Sequence, residues 1–193
     1  NQRSPEAFNP EVGLMRRTKF RESFLQMAIK PRPKKRFKWV RQFEFIPAAF
    51  TYAQYDDTKD IQSFEYQLRL FGMDTKKGDK FAIDYKRLAE GLIRDFEISP
   101  GIIIPQKTYW WHQLESEAST FSGRTLSAKT KWIIGEFYGG KSLQHSSTGL
   151  WRASKYLNIN LIYGANYVDL PEGKFNTHLF STRLEYAINP NAF

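Results

Sequence analysis

The chain has 193 residues, a formal net charge of +9, no Cys, and 16 Phe, 10 Tyr and 5 Trp. The missing Cys excludes a disulfide scaffold and a Cys-ligated zinc site, and no run reaches the roughly 18 consecutive apolar residues of a membrane helix. So many aromatic residues are typical of β-strands or of membrane-interface belts.

The first predicted strands, 14–29 and 36–55, flank a basic segment. The apolar register of the second changes parity around Pro47, which predicts a bulge or bend there. The residues on either side of the change are Phe37, Trp39, Phe43 and Phe45, and then Phe50 and Tyr52. Between the strands, Lys30–Lys38 contains six Lys or Arg and two Pro. It predicts a solvated basic turn, with contact to anionic headgroups or phosphates as the alternative.

Period-two alternation of apolar and polar residues is clearest in two segments. In the first, Glu65, Gln67 and Arg69 lie opposite Phe64, Tyr66, Leu68 and Leu70. In the second, Asn158, Asn160, Gly164 and Asn166 lie opposite Leu157, Ile159, Leu161, Tyr163, Ala165 and Tyr167. Both segments suit a tilted membrane strand of roughly 9 to 11 residues better than the usual soluble strand of about 5 to 6. We predict a wet lumen lined by Glu65, Gln67, Arg69, Asn158, Asn160 and Asn166.

We place the remaining strands at 79–90, 107–121, 124–136, 142–153 and 175–188. The connections form two sets that alternate along the chain, as an up-and-down meander requires. One set is 30–36, 74–79, 122–124, 154–156 and 189–193, and the other is 8–13, 56–60, 91–107, 135–142 and 169–175. Most of the first set is tight, which suits a periplasmic end, and the second contains the longest loop, which suits an extracellular end.

The segment Gly135–Ser142 satisfies the phosphate-binding pattern G-x-x-x-x-G-K-[ST], which normally lies between a strand and a helix. The residues that follow it, 143–150, are poor helix formers, and Phe137 and Tyr138 are bulky for a close-fitting loop. We therefore predict a loop between two strands at this position. Since zinc-finger, homeodomain and RNA-recognition signatures are also missing, we expect no nucleic-acid partner.

The sequence contains no convincing catalytic or metal site. Glu115 and Glu117 share one strand face, and paired carboxylates beside aromatic residues could serve glycoside hydrolysis. Neighbours on one strand share an environment, however, whereas acid and base roles need pKa values pushed apart. His112, His145 and His178 have no partner at metal-ligand spacing, so we predict no metal and no cofactor. The candidate glycan contacts are Tyr109, Trp110, Trp111, Glu115, Glu117 and Tyr138.

Four separated blocks of sequence carry a family resemblance. They are Phe8–Arg17, Phe96–Pro105, Gly135–Gly140, and Asn166–Phe175 with Thr177–Leu179 and Arg183–Ala187. They resemble the C-terminal barrel region, of unknown function, of bacterial outer-membrane proteins that carry a family-9-like carbohydrate-binding domain and are often labelled membrane-associated hydrolases. The resemblance implies an outer-membrane β-barrel and a glycan-related role. Because the carbohydrate-binding domain and the final strands are missing here, we expect a fragment of a longer chain.

Alternation alone does not say which face meets water, since a soluble lipid-binding barrel places the same apolar residues inside. Strand length, the resemblance and a belt of aromatic residues near strand ends favour a membrane. The predicted belt consists of Trp39, Tyr55, Trp132, Tyr138, Trp151, Tyr156 and Tyr167. We therefore predict an all-β, antiparallel up-and-down transmembrane β-barrel, or a segment of one, over 1–193. About nine strands are visible, and closure needs more strands.

These features predict a protein of the bacterial outer membrane that anchors, or provides a passage for, a glycan-related surface protein. We expect this segment to be non-catalytic. Its expected partners are outer-membrane lipid, glycans and partner subunits of a larger envelope complex. The alternatives are a soluble β-barrel that binds a lipid or glycan, and part of a membrane-associated hydrolase that acts on polysaccharide.

Overall fold

In the computed structural model, the residues described are 2–4, 20–55, 58 and 60–187. They form strands and no helix, so no helix among them could cross a bilayer. The strands are β1 (Gln2–Ser4), β2 (Phe20–Ile29), β3 (Val40–Phe43), β4 (Phe45–Tyr55), β5 (Ile61–Thr75), β6 (Lys80–Gly91), β7 (Phe96–Ser99), β8 (Ile102–Ile104), β9 (Thr108–Ser119), β10 (Leu126–Phe137), β11 (Gly140–Arg152), β12 (Leu157–Leu170) and β13 (Gly173–Tyr186).

The main sheet is an antiparallel meander in the order β1-β2-β4-β5-β6-β9-β10-β11-β12-β13, with β3 also paired to β5. All nine strands predicted from the sequence are present, and 14–19 and 188 lie outside the described residues. The predicted connections at 8–13 and 189–193 also lie outside them. Strand β1 was not predicted. Within the described part of the chain β1 pairs only with β2 and β13 only with β12, so the sheet is not closed.

The bulge predicted near Pro47 is confirmed. The register between β4 and β5 shifts between the pairs Ile46–Arg69 and Ala49–Gln67. The Tyr66 hydroxyl donates a hydrogen bond to the Pro47 carbonyl oxygen at 3.1 Å. Since proline has no N–H to give to a ladder, an irregular position is where a strand tolerates it.

The hairpin between β10 and β11 explains the Gly-rich segment 135–142. Its loop is Tyr138–Gly139, with φ angles of 45° and 83°. Two positive φ angles are what a two-residue type I′ hairpin turn requires, and its twist matches that of the flanking strands. The predicted loop between two strands is therefore confirmed, because strand β11 follows where a phosphate-binding loop would need a helix.

The connections lie at two ends of the sheet, as the alternation predicted. We call one the turn end, formed by 30–39, 76–79, 120–125 and 153–156, and the other the loop end, formed by 58, 60, 92–107, 138–139 and 171–172. The longest connection, 92–107, lies at the loop end as predicted, but the two-residue connections 138–139 and 171–172 lie there as well. Length distinguishes the two ends only at 92–107.

The long connection 92–107 contains a hairpin that the sequence analysis missed. Strands β7 and β8 pair through Phe96 and Ile104 and through Ser99 and Ile102. Gly101 closes the turn with a φ of 78°, a conformation that glycine adopts without steric cost. At 4 and 3 residues, the two strands are too short to show a period-two pattern.

The sheet has two chemically different faces, because directly opposed residues of antiparallel strands point to the same side. We call them the polar face and the apolar face. The polar face includes Glu65, Gln67, Arg69, Asp84, Lys86, Gln113, Glu115, Lys131, Asn160 and Asn166. The apolar face includes Phe50, Phe64, Tyr66, Leu68, Tyr85, Leu114, Ile134, Leu161, Tyr163 and Phe180.

Candidate functional site: the polar face of the sheet

The register places all six predicted lumen residues on the polar face. Glu65, Gln67 and Arg69 project from β5, opposite Leu88, Lys86 and Asp84 of β6. Asn158, Asn160 and Asn166 project from β12, opposite Glu185, Arg183 and Thr177 of β13. The two groups share one face but stand at opposite sides of the sheet, separated by β6, β9, β10 and β11. That they line a lumen stays a prediction.

Arg69 is the centre of a chain of charges near the turn end. Its guanidinium donates two hydrogen bonds to Asp84, from Nε to Oδ1 at 2.8 Å and from Nη2 to Oδ2 at 2.9 Å. It also pairs with Glu44 at 2.5 Å, and Glu44 pairs with Lys30 at 2.5 Å. A planar guanidinium suits this arrangement, because its fork matches a carboxylate with two parallel bonds.

A second chain of charges crosses the middle of the polar face. Glu115 on β9 lies between Lys86 on β6 and Lys131 on β10, at 3.4 Å and 2.8 Å. Lys86 also pairs with Glu65 at 2.9 Å. The Glu115 carboxylate therefore joins three strands through alternating charges, with a lysine on each side of it.

A polar cavity of about 490 Å³ opens on this face near the turn end. It is lined by residues of both signs, among them Lys30, Arg41, Glu44, Arg69, Asp84 and Glu117. Neither sign dominates the lining. Such a cavity suits water and polar solutes better than it suits one strongly charged ion.

The hairpin of β7 and β8 covers the polar face at the loop end. Ile104 is fully buried in a cluster with Tyr109, Trp111, Val168 and Leu170. The second strand of the hairpin also meets the last turn of the sheet, because Ile102 packs against Gly173. We call this cluster the cap. At the loop end, the polar face is therefore covered by the apolar side chains of the cap.

Tyr138 secures the β10–β11 turn to the cap. Its ring packs on Tyr109 and Trp111, with centroid distances of 5.0 Å and 5.2 Å. Its hydroxyl donates a hydrogen bond to Glu90 at 2.5 Å. A left-handed conformation costs a bulky residue roughly 1 kcal/mol or more, and these contacts offset that cost.

The predicted glycan contacts do not form one surface. Tyr109, Trp111, Glu115 and Glu117 project to the polar face, where Tyr138 also packs, but Trp110 projects to the apolar face. Tyr109, Trp111 and Tyr138 are buried in the cap. Glu117 pairs with Lys129 at 3.0 Å. Contact between these residues and a glycan stays a prediction.

The three histidines lie on the apolar face, each beside a hydroxyl group. His112 Nδ1 and the Tyr85 hydroxyl lie 2.6 Å apart, and His178 Nδ1 and the Tyr163 hydroxyl 3.1 Å apart. His145 Nε2 lies 3.0 Å from the Ser147 hydroxyl. These hydrogen bonds provide a polar partner on an otherwise apolar surface. Among the described residues, no three His, Asp or Glu side chains are arranged to hold a metal.

The predicted position near strand ends is confirmed for most residues of the aromatic belt, whereas their location at a membrane interface stays a prediction. Trp39, Trp151 and Tyr156 lie at the turn end, and Tyr55 and Tyr167 lie near the loop end. The prediction is wrong for Trp132, which sits in the middle of β10 and packs on His145 at 3.9 Å. Tyr138 directly follows the end of β10, as predicted, but its ring points into the cap.

Charged side chains of the polar face are buried and large side chains of the apolar face are exposed, which is the opposite of a water-soluble sheet. On the polar face Asp84 and Glu115 are only 4% and 8% exposed, whereas on the apolar face Ile134 and Leu161 are 54% and 44% exposed. A soluble sheet buries its apolar face and leaves its polar face in water. Other large exposed side chains of the apolar face are Leu114, Leu126, Trp132, Trp151, Tyr163 and Phe180.

Sequence reasoning missed several residues that matter here. Asp84 and Lys86 follow the same period-two pattern as Glu65 and could have been found from it. Ile104 gave no usable signal, because burial of a short loop segment depends on contacts far along the chain. No protein-family model, curated protein or solved structure matches the chain. The family resemblance carried by the four sequence blocks therefore stays a prediction.

Proposed function

We propose that the chain forms the wall of a bacterial outer-membrane β-barrel, with its apolar face against lipid and its polar face around an aqueous interior. The reversed exposure of the two faces carries this proposal. In water, each exposed Leu, Ile or Phe would lack the roughly 1.5–3 kcal/mol that full burial provides. Acyl chains would supply this burial.

Strand length supports the same proposal. From β5 onward, the seven long strands of the meander have 12 to 15 residues. A tilted strand needs roughly 9 to 11 residues to cross the hydrocarbon core. Each long strand therefore has enough residues to cross and to project slightly on both sides.

Closure is part of the proposal. An unpaired strand edge cannot exist in lipid, because each unsatisfied N–H or C=O costs several kcal/mol there. Among the described strands β13 is such an edge, and its Leu179 and Phe180 are largely exposed on opposite faces. In the complete barrel, further strands cover this edge and the edge at β1 and β2.

An anchoring role suits the polar face better than an open passage. The cap covers the loop end of the polar face with apolar side chains, whereas the cavity at the turn end is polar. In this proposal the barrel anchors a larger surface assembly. A solute would pass through the interior only if the cap moved aside. A link to glycans rests on the sequence resemblance alone.

The alternatives have less support. A soluble lipid-binding barrel would enclose its apolar face, which is the exposed one here. For a hydrolase, Glu115 and Glu117 are the candidate acids, but both are paired with lysines. If Glu115→Gln abolished polysaccharide hydrolysis by the protein, the non-catalytic role would be wrong.

Single-Cys labelling tests the proposal, because the chain has no Cys of its own. Two neighbouring pairs differ only in face: Asn160→Cys and Leu161→Cys on β12, and Gln113→Cys and Leu114→Cys on β9. After reconstitution in phosphatidylcholine liposomes, a membrane-impermeant maleimide should label the Asn160 and Gln113 variants and leave the two Leu variants unlabelled. Equal labelling of all four, or recovery of the protein in buffer without detergent, would contradict a membrane wall.

A further inference from the structure

We infer that the turn end binds the phosphate headgroups of anionic phospholipids, through the basic turn 30–38 and the aromatic residues beside it. The inference rests on the proposed membrane wall and adds the lipid chemistry that one end of it selects. Three observations carry it: the exposure of the cations, the aromatic row next to them, and the unequal charge of the two ends.

The basic turn presents its charges to the surroundings. Arg32, Lys34, Lys35, Arg36 and Lys38 are all exposed, whereas Lys30 is paired with Glu44. Pro31 and Pro33 fix the backbone φ at their positions, and bends at Lys34, Lys35 and Arg36 follow them. Several exposed cations in one short segment suit several headgroups at a surface better than they suit one small anion.

The turn is joined to the apolar face by aromatic rings. Phe37 packs on Phe43 with a centroid distance of 6.0 Å, Phe43 on Phe71 with 5.9 Å, and Phe71 on Phe81 with 6.1 Å. Trp39 is more than half exposed next to this row. Aromatic residues favour the boundary between acyl chains and headgroups. The cations of 34–38 therefore lie at the level of the phosphates.

The two ends carry different charge. Within the described residues, the turn-end connections contain ten Lys or Arg and one carboxylate, Asp79. In the same described part of the chain, the loop-end connections contain two Lys or Arg and four carboxylates. Lys and Arg next to a bilayer are attracted to anionic lipid over about a Debye length. Only the turn end has the excess of positive charge that this attraction needs.

Nucleic acid, the other common phosphate ligand, fits this surface less well. The cations lie on a Pro-containing turn rather than on a recognition helix. The aromatic rings nearest to these cations belong to a row that leads onto the apolar face. Nucleic-acid bases that stacked on this row would have to leave water and enter lipid. The geometry therefore favours a lipid headgroup.

The experiment compares two triple variants that lose the same charge. Lys34, Lys35 and Arg36 are replaced by Gln at the turn end, and Arg94, Lys141 and Lys174 by Gln near the loop end. Each protein is reconstituted in phosphatidylcholine bilayers that contain spin-labelled phosphatidylglycerol or spin-labelled phosphatidylcholine. The wild-type protein should associate preferentially with phosphatidylglycerol. The turn-end variant should lose at least about fivefold of that preference, the effect of one Lys or Arg near an anionic surface, and the loop-end variant should keep it.

Equal preference in the two variants would overturn the inference, as would a wild-type protein with no preference at low salt. If a short oligonucleotide removed the preference at equal phosphate concentration, the turn would be assigned to nucleic acid and the inference would be wrong. Failure of the proposed membrane wall gives a different result. The wild-type protein would then be released from the phosphatidylcholine bilayers themselves, which would remove the premise and overturn the inference with it.

Discussion

Arg69 holds Asp84 through two parallel hydrogen bonds of 2.8 and 2.9 Å across β5 and β6. The Asp84 carboxylate is almost completely buried and receives these bonds on both oxygens. Removal of one partner would leave a buried charge without compensation, and this costs more than the pair itself contributes.

We expect Arg69→Leu to lower the free energy of unfolding by about 3–5 kcal/mol, as found when a buried ion pair loses one partner. Urea titration of the folded protein in detergent micelles measures this change. Lys174→Gln is the matched control, because its pair with Asp169, at 2.6 Å, is exposed and should contribute about 0–1 kcal/mol. Equal effects of the two substitutions would contradict the importance of the Arg69 cluster.

Substitution by Arg should change the stability of the protein differently on the two faces. If Leu161 faces lipid near the bilayer centre, Leu161→Arg should destabilise the membrane-inserted protein by about 2–4 kcal/mol. Asn160→Arg, one residue away on the polar face, should change stability much less. Unfolding from lipid vesicles measures both. A nearly neutral Leu161→Arg would mean that this side chain meets water.

The nine strands could be predicted because strand-forming and turn-forming residues are local signals, and period-two alternation is clear in two of the strands. Segments such as Leu157–Tyr167 and Phe64–Leu70 identified the two faces correctly. Leu70 is the exception in detail: the register shifts between Arg69 and Phe71 and leaves Leu70 without a directly opposed partner on β6. Such a shift depends on the neighbouring strand, so the pattern of β5 alone could not predict it.

The cap could not be predicted for a related reason. Ile104 packs with residues of β9 and β12, and such contacts leave no local pattern in three consecutive Ile residues. Glu44 and Lys131 were missed because their partners, Arg69 and Glu115, are on other strands. The sequence of one strand shows which of its residues share the polar face. It does not show which charges of neighbouring strands form ion pairs, because this depends on how the strands pair.

Asp79 links two turns of the turn end. The Arg124 guanidinium, helped by the backbone N–H of Phe121, holds the pKa of Asp79 below its usual value. A carboxyl group with a lowered folded-state pKa stabilises the fold fully above its unfolded pKa, about 3.9 for Asp. That stabilisation is lost as the pH falls through the folded pKa.

We therefore expect Asp79→Asn to lower stability at pH 7 and to have a shrinking effect below about pH 4. Unfolding titrations of the wild-type protein and the variant across pH 2–7 measure this difference. In an Arg124→Gln background the pH dependence of the difference should be weaker, since the main cause of the lowered pKa is removed. A difference that does not vary with pH would exclude ionisation of Asp79 as its source.

Adjacent residues of β8 allow a test of the cap. Ile104 is 0% exposed and Ile103 is 52% exposed, although both are Ile in the same short strand. Ile104→Ala should remove about 2–5 kcal/mol of packing energy. The loss should destabilise mainly the hairpin, because β7 and β8 pair only with each other in the described part of the chain. Hydrogen exchange of residues 96–104 should speed up while exchange in β9 to β13 stays slow. Ile103→Ala should leave exchange nearly unchanged. If Ile104→Ala instead unfolded the whole sheet, the cap and the sheet would form one cooperative unit.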